Sequence, residues 1–540
     1  MTQCTPTVSD IDPSSERLLR LWHLSWLNRT WFLCLVQVVL CAACGLRAWV
    51  GLRGMRSWVH DAFVLLDGAW RVRNGQVPYN DFATDVGPLV HLLNALGLML
   101  AHNMPEALAY TQAIVGLIAG VWAFSLSRRR LSPMGSTLLT VLLVFLALGP
   151  FDVGNAPTMT SPAMVYNRYG FVLVALGILE AVCPRRPFTK LSEFAGGLST
   201  GVIAILLLFI KVSYFPGLGL LLLLLIGCRR QTLLRWTGML TGACAAFFPF
   251  LIYMRWTLVP MWVNLQMLAG AKHVLREWFL AEAVYGAAIP LAILAFIAFR
   301  LLSRYDAPKE GRRVLTLGLA VAAVGICFVA ANFPGSRLPL NAVAALIVVD
   351  RVETLFSARP RTETLMRCGV LLWGAWFIFT SLLLDTTGLA YSVRKRMTVT
   401  KVPGSTFSAP TLAGFSTFDV GYVEFVNDGL ALARQYRRPG DTIMSLDFSN
   451  PFSYTFRVRP AWGGTSVGLQ FGTNFDDKNH IEPDRLFGHA SLVMIPQPQM
   501  FSDWTLAANL PRLYEPWLRQ HFHMVGETAF WRAYRNNTPD

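Results

Sequence analysis

Residues 60–89 read HDAFVLLDGAWRVRNGQVPYNDFATDVGPL, a polar stretch between two apolar parts of the chain. Its acidic residues are Asp61, Asp67, Asp81 and Asp85. The apolar segment before it, from Trp31 to Leu52, is long enough to cross the ~30 Å hydrocarbon core of a bilayer. We therefore predict that an acidic loop follows the first membrane span directly.

The overall composition is that of a membrane protein. Of 540 residues, 54% are hydrophobic and 15% are charged, whereas about a quarter of an ordinary soluble chain is charged. Apolar runs predict about eleven spans. They lie near residues 31–52, 106–127, 132–150, 168–183, 194–213, 216–228, 236–257, 282–303, 314–332, 338–350 and 368–386. Pro88–His102 is too short to be counted, and we predict that it is a helix lying in the membrane interface.

The net charge of +15 is explained by membrane topology and does not indicate a nucleic-acid partner. A cytoplasmic N-terminus puts basic clusters such as 128–130 and 312–313 on the inner side, as the positive-inside rule expects. An odd number of spans then sends the C-terminal end outside. The predicted domains are a cytoplasmic segment at 1–30, a transmembrane domain at 31–386 with its first external loop at 53–105, and a soluble periplasmic domain at 387–540. The expected location is the cell inner membrane.

The C-terminal domain is predicted to have a small α/β or α+β fold. Thr442–Phe448 and Ala490–Pro496 are typical of buried strands, and Leu510–His521 is typical of a helix. Phe522–Tyr534 alternates like a terminal hairpin. The domain contains no cysteine, so we expect it to fold without disulfides.

Motifs for a nucleotide, a catalytic metal or a nucleophilic serine are missing from the sequence. It has no Gly-rich phosphate loop, no His-Glu-x-x-His and no Gly-x-Ser-x-Gly. Asn474, Asp476, Asp477 and His480 lie in one segment, but their spacing is not that of a cation site. We predict that no cofactor is required, and a divalent metal has no support.

The loop and its surroundings resemble the GT-C superfamily of polyprenyl-phosphate-sugar-dependent glycosyltransferases, in the protein mannosyltransferase and aminoarabinose transferase branch. The matching residues are Asp61, Gly75, Pro78, Tyr79, Asp81, Phe82, Gly87, Pro88 and Leu89. The resemblance is strongest over residues 55–185, and beyond them only the general layout agrees. It implies transfer of a sugar from a polyprenyl-phosphate donor to an acceptor hydroxyl at the periplasmic face. The implied acceptor is a glycan, glycolipid or protein of the cell envelope.

The resemblance also implies roles for residues of the loop. Asp61 matches the catalytic base, although an aspartate before an apolar helix is also a common N-cap. Asp85 stands where relatives carry an acidic residue that assists in acceptor binding or proton removal. His60 flanks the base. Tyr79 and Asp81 either contact the acceptor or form a structural turn, and turn chemistry favours the second.

The donor phosphate needs a cation that the family pattern does not supply here. Relatives often carry Lys directly before Gly-Pro, where it contacts the lipid phosphate, and this chain has Val86. The replacement candidates are Lys211, Arg168, Lys272, Arg276 and Arg337. A cation at the end of a span also has a structural interpretation, as an interfacial anchor.

Three further polar residues belong to this region. Asn167 stands where the family often has an acidic residue, and we predict it as an acceptor or loop contact. Asp152 is the nearby carboxylate. Asp67 lies off the helical face of Asp61, and we expect it to be solvated.

Two other functions stay open at this point. A transporter or flippase of lipid-linked sugars would handle the same lipid, but such proteins carry inverted repeats and charged groups within their spans. The predicted spans here contain few acidic residues, chiefly Glu180 and Asp385 near span ends. An inactive GT-C-like assembly partner would also fit, since Val86 replaces the lysine.

Overall fold

The computed structural model describes most of the chain, in segments. These are residues 30–182, 184, 189–228, 232–271, 313–314, 316–318, 320–321, 324, 339–351, 361–398, 412, 415–466, 475–497 and 509–537. The predicted span 282–303 and most of 314–332 lie outside these residues.

The first two thirds of the described chain are mainly helical. The elements are α1 (Thr30–Val50), β1 (Leu52–Met55), α2 (Asp61–Arg73), α3 (Pro88–Leu100), α4 (Ala107–Ser127), α5 (Pro133–Leu148), α6 (Val165–Ala181), α7 (Lys190–Ile210), α8 (Phe215–Cys228), α9 (Leu233–Tyr253), α10 (Val259–Ala271), α11 (Pro339–Asp350) and α12 (Arg361–Thr398). A short 3₁₀ helix, Val212–Tyr214, joins α7 to α8.

Within the described chain, five helices are long and apolar enough to cross a membrane. They are Trp31–Val50, Ala107–Ser127, Lys190–Ile210, Leu233–Tyr253 and Cys368–Arg396. Shorter apolar helices, including α3, α5 and α11, accompany them. The protein is therefore a helical multi-pass membrane protein, while the total of about eleven spans stays a prediction.

Close packing of the membrane helices depends on small residues. Gly197 and Gly201 of α7 face α9, and a Cβ added at Gly201 would lie 2.0 Å from the carbonyl oxygen of Met239. Gly238 of α9 faces α7 in the same way. Small residues spaced four apart let helix backbones touch, and dispersion then stabilises the pair in lipid. This contact joins the N-terminal half of α7 to α9.

The helix α6 forms the centre of the bundle, because every one of its residues is buried. Its charged residues are paired at its two ends. Arg168 donates to the carboxylate of Asp385 at 2.9 Å, and Glu180 accepts from Arg130 at 2.5 Å and from Arg235 at 3.1 Å. A buried charge is tolerated when it is paired and hydrogen-bonded.

The C-terminal part contains a four-stranded mixed sheet with helices packed against it. Its elements are β2 (Phe415–Thr417), α13 (Val420–Tyr436), β3 (Ile443–Ser445), α14 (Phe452–Phe456), α15 (Pro483–Phe487), β4 (Leu492–Pro496), α16 (Asn509–His521), β5 (Phe522–Glu527) and β6 (Trp531–Asn536). The strand order is β3-β4-β6-β5, with β3 and β4 parallel and the other pairs antiparallel. The predicted strands, helix and hairpin are all present.

The two parts of the chain meet at β1 and α2. β1 pairs in parallel with β2, so that Leu52 lies beside Phe415. The ring of Phe63 on α2 packs 5.2 Å from that of Phe415, and Trp70 donates to the carbonyl of Val458 at 2.8 Å. The C-terminal part thus covers one side of α2, the helix that begins at Asp61.

Candidate functional site

The site is organised by the start of α2. Asp61 is the first residue of this helix, and the residue before it, His60, occupies the N-cap without a capping side-chain bond. A carboxylate in the first turn interacts favourably with the helix dipole. Asp61 therefore begins the helix without taking the N-cap position, the alternative role considered for it.

Three carboxylates interact around this helix start. Burial, together with the charges of Asp85 and Asp152, raises the pKa of Asp61 to about 8. Burial also raises the pKa of Asp152 to about 6, although the charges of Arg168 and Lys211 and a backbone hydrogen bond oppose this. A carboxylate with a raised pKa is a stronger base when it is ionised. These carboxylates share one electrostatic environment, and we call them the acidic cluster.

His60 lies directly beside the acidic cluster as a neutral side chain. Its Nε2 is 3.4 Å from Oδ1 of Asp61, and burial lowers the pKa of His60 to about 3. Its ring packs 4.4 Å from that of Phe448 and 6.2 Å from that of Tyr422. As a neutral aromatic group, His60 packs beside Asp61 without adding a positive charge to the acidic cluster.

Residues of the C-terminal part that the sequence did not point to border this site. Tyr422 interacts electrostatically with both Asp61 and Asp447. Burial raises the pKa of Asp447 to about 7. These residues are separated from Asp61 by more than half of the chain, so no local motif could have found them.

Lys211 is close enough to the acidic cluster to interact with Asp152. It directly follows α7, its Nζ is 5.0 Å from the centre of the Tyr166 ring, and its charge acts on Asp152. The Gly87 N–H donates to the carbonyl of Ile210 at 2.7 Å. The end of α7 is thus fastened to the loop that carries Asp85.

Glycine is required at that fastening point. A Cβ added at Gly87 would lie 1.9 Å from the carbonyl oxygen of Phe209. The matched Gly-Pro-Leu sequence therefore has a physical reason here, because its glycine allows the loop and α7 to touch backbone to backbone.

The other predicted phosphate-binding cations have different surroundings. Arg168 is buried, and besides Asp385 it donates to the carbonyls of Phe151 and Leu146 at 2.8 and 2.9 Å. It therefore ties α6 to α5 and α12. Lys272, Arg276 and Arg337 lie outside the described residues. Of the two described candidates, Arg168 is held by Asp385 and two carbonyls, whereas Lys211 lies beside the ring of Tyr166; the charges of both act on Asp152.

Asp81 holds a turn. It accepts the N–H of Val77 at 2.8 Å, and it makes two bonds with the guanidinium of Arg255 at 2.8 and 2.6 Å. Tyr79 is buried with φ at 68° and donates its hydroxyl to the carbonyl of Val86 at 3.0 Å. Both residues thus have the structural contacts expected from the favoured turn interpretation.

The remaining predictions concern Asn167 and Asp67. Asn167 is buried, and its carbonyl accepts the hydroxyl of Tyr214 at 3.0 Å. Asp67, which we expected to be solvated, is 1% exposed and accepts from Arg71 at 2.7 Å. That expectation was wrong because the C-terminal part covers this face of α2, with Asn450 beside the carboxylate.

Within the described residues, no group of three or more His, Cys, Asp or Glu side chains could hold a metal ion. In the segment with a weak cation pattern, the carboxylate of Asp476 accepts the N–H groups of Lys478 and Asn479. This is the geometry of a turn.

Comparison with known proteins identifies the fold. No family model matches the chain, and no curated protein does. The crystal structure of ArnT from Cupriavidus metallidurans bound to undecaprenyl phosphate is similar, with a TM-score of 0.50 at 12% identity, over 94% of this chain and 98% of that one. The apo structure of that protein gives a TM-score of 0.47 at 12% identity, over 92% and 97% of the two chains. The chain therefore has a GT-C-like fold, which confirms the resemblance found in its sequence.

Proposed function

We propose that this GT-C-like chain is an integral-membrane glycosyltransferase. It transfers a sugar from a polyprenyl-phosphate donor to an acceptor hydroxyl of a cell-envelope glycan, glycolipid or protein, on the periplasmic face of the inner membrane. The observation that supports this most is the acidic cluster of Asp61, Asp85 and Asp152 with Lys211 beside it. The crystallised ArnT, which shares the fold, was bound to undecaprenyl phosphate.

The proposed reaction needs one base and one stabilised leaving group. Asp61 takes the proton from the acceptor O–H as that oxygen bonds to the anomeric carbon of the donor sugar. The bond between the anomeric carbon and the phosphate oxygen breaks, and polyprenyl phosphate leaves as an anion. Because this leaving group is already stable, no general acid is needed, in contrast to hydrolases that use two carboxylates.

The raised pKa of Asp61 suits this role. A base works best when its pKa lies near the operating pH, because it is then both strong enough and sufficiently ionised. His60 is neutral in this pH range and cannot compete with Asp61 for the proton. Asp85 and Asp152 set the local charge and contact the acceptor.

Lys211 is the proposed partner of the donor phosphate. Its position after α7 places a cation at the end of a candidate span, where the headgroup of a lipid donor lies. A cation aimed at developing negative charge stabilises the transition state. Arg168 and Asp385 do not contact the donor in this proposal. Their ion pair holds α6 in place, and α6 carries Tyr166.

The test is sugar transfer by the purified full chain in lipid from a polyprenyl-phosphate donor. Asp61→Asn should reduce kcat by roughly 10²- to 10⁴-fold, the usual contribution of a general base. Asp484→Asn, a change of an exposed aspartate of the C-terminal part, is the matched control and should retain activity. Unchanged activity in Asp61→Asn would exclude the mechanism.

A second measurement separates this proposal from the two alternatives. If the lipid-linked sugar crosses liposome membranes without any transfer, the chain is a flippase. If the donor binds but neither transfer nor crossing occurs, the chain is an assembly partner. Lys211→Gln should weaken transfer by about 10²-fold, similar to the loss of one donor at a developing anion, and Lys211→Arg should restore part of it.

A further inference from the structure

A cluster of cations lies where α1 and α12 end. Its members, which we call the basic patch, are Arg53, Arg56, Arg394, Lys395 and Arg396. The parallel pairing of β1 with β2 brings this region to the C-terminal part, where Phe418 donates its backbone N–H to Met55 at 2.9 Å. Residues from three distant segments therefore meet here.

The cations of the basic patch lie against aromatic rings. Arg56 and Lys395 both face the ring of Phe418, at 5.7 and 4.8 Å from its centre. Arg56 also donates to the hydroxyl of Tyr391 at 3.0 Å. Arg396 lies 4.3 Å from the centre of the Trp49 ring. Cation–π contacts of this kind fix the direction of each charge but do not neutralise it.

The charges of the basic patch act on one another. Arg396, at the end of the span Cys368–Arg396, interacts electrostatically with Arg53 and with Glu106. Glu106 is an acidic neighbour of Arg396, and Asp419 follows Phe418 in the chain, so the five cations outnumber the acidic residues named here. An anion bound among these cations would relieve their repulsion, because like charges a few ångströms apart at a surface repel each other by about 1 kcal/mol or more.

The basic patch lies at a membrane boundary. The candidate spans Trp31–Val50 and Cys368–Arg396 both end there, and Trp49 is 46% exposed, as in an interfacial aromatic belt. Arg56 and Asp61 are five residues apart, so their Cα atoms are separated by at most about 18 Å. The patch therefore lies on the same side of the membrane as the acidic cluster.

A cluster of basic residues on this side runs against the positive-inside rule, which explains the other basic clusters of the chain. We infer that the basic patch binds the phosphate-bearing headgroup of an anionic lipid in the leaflet beside Asp61. Single snorkelling anchors would be spread around the bundle, whereas these cations converge from β1, the residue that follows it, and α12. The occupant is a lipid because the patch lies where two spans leave the bilayer.

The experiment uses the full chain in mixed bilayers, with a photo-crosslinking phenylalanine replacing Trp49. The yield of crosslinks to radiolabelled phosphatidylglycerol is compared with that to phosphatidylcholine of the same chain length. We expect a preference for phosphatidylglycerol that declines as salt rises. The double variant Arg56→Gln/Lys395→Gln should lower the ratio of the two yields about 25-fold, at about 5-fold for each cation.

The controls distinguish an effect of charge from an effect on folding. They also distinguish binding of a lipid headgroup from binding of a free phosphate. Arg434→Gln/Arg438→Gln changes two exposed arginines elsewhere and should keep the preference, and so should the charge-conserving Arg56→Lys/Lys395→Arg. An unchanged ratio in the Gln variant would overturn the inference. Displacement of the lipid by an equal concentration of soluble glycerol phosphate would also overturn it, because it would indicate a free-phosphate site. The readout requires no sugar transfer, so it can fail or succeed independently of the proposed function.

Discussion

If Asp61 is the general base, the rate of sugar transfer must follow its ionisation. Burial and the neighbouring Asp85 and Asp152 charges raise its pKa to about 8. The ionised fraction is then about 1% at pH 6, about 9% at pH 7 and about 91% at pH 9, so kcat/KM should rise roughly 90-fold across this range. The rise should be about tenfold per pH unit at its acid end.

The assay is the initial rate of transfer at donor concentrations below KM, with the ionic strength held constant. Under these conditions the profile reports groups of the free enzyme and free substrate. The donor is a phosphodiester and does not titrate in this range. His60 does not contribute either, because burial lowers its pKa to about 3. A profile that is flat or falls between pH 6 and 9 would refute the assignment of Asp61.

Two variants test the cause of the raised pKa. Asp85→Asn removes the larger of the two repulsive charges, so the midpoint of the profile should move to lower pH. Asp152→Asn should move it less. Neither variant should bring the midpoint near the usual value of 3.8, because burial is the largest cause and is unchanged. A midpoint that moved upwards in Asp85→Asn would contradict the electrostatic coupling of the cluster.

Three further predictions concern stability and positioning. Because the folded-state pKa of Asp61 exceeds its usual value, ionisation weakens the folded protein as pH rises from 3.8 to about 8. Asp61→Asn should therefore raise the free energy of unfolding at pH 9, by at most about 6 kcal/mol. Its Tm should be higher than that of the wild type at pH 9 and almost the same at pH 4. An equal effect at both values would disprove this. Asp385→Asn leaves Arg168 buried without its counter-ion and should cost about 3–5 kcal/mol, while replacing both residues by Leu should recover most of the lost Tm. Gly87→Ala should lower both transfer and Tm, because its Cβ would overlap the backbone at Phe209 and push the loop away; wild-type rates would exclude this fastening role.

The sequence could point to the loop of the candidate site because the signals of that loop are local. Asp61 and Gly87 belong to one loop whose spacing is recognisable without any tertiary information. The turn at Asp81 was predicted from turn chemistry, and the structure shows its hydrogen bonds. Strands and the terminal hairpin of the C-terminal part were also found, since alternation of apolar residues is a property of neighbours in the chain.

The features of the site that the sequence could not predict depend on contacts between residues that are far apart in the chain. Asp67 was expected to face water because helical spacing shows only that it points away from Asp61, and it does not show what covers the other face. Arg168 resembles a free cation at the start of a span, but its partner Asp385 is more than two hundred residues away. Tyr422 and Phe448 beside His60 were missed for the same reason.

The pairing of β1 with β2 has a consequence for how the protein is made. Leu52 is synthesised with the first span, and its partner Phe415 is synthesised more than three hundred residues later. Until then the edge of β1 has no partner strand, and the segment leading to Asp61 lacks the support of Phe415 and Tyr422. The packing around Asp61 is therefore completed only when residues 415–448 have been synthesised, although the loop that carries Asp61 is among the first parts of the chain to be made.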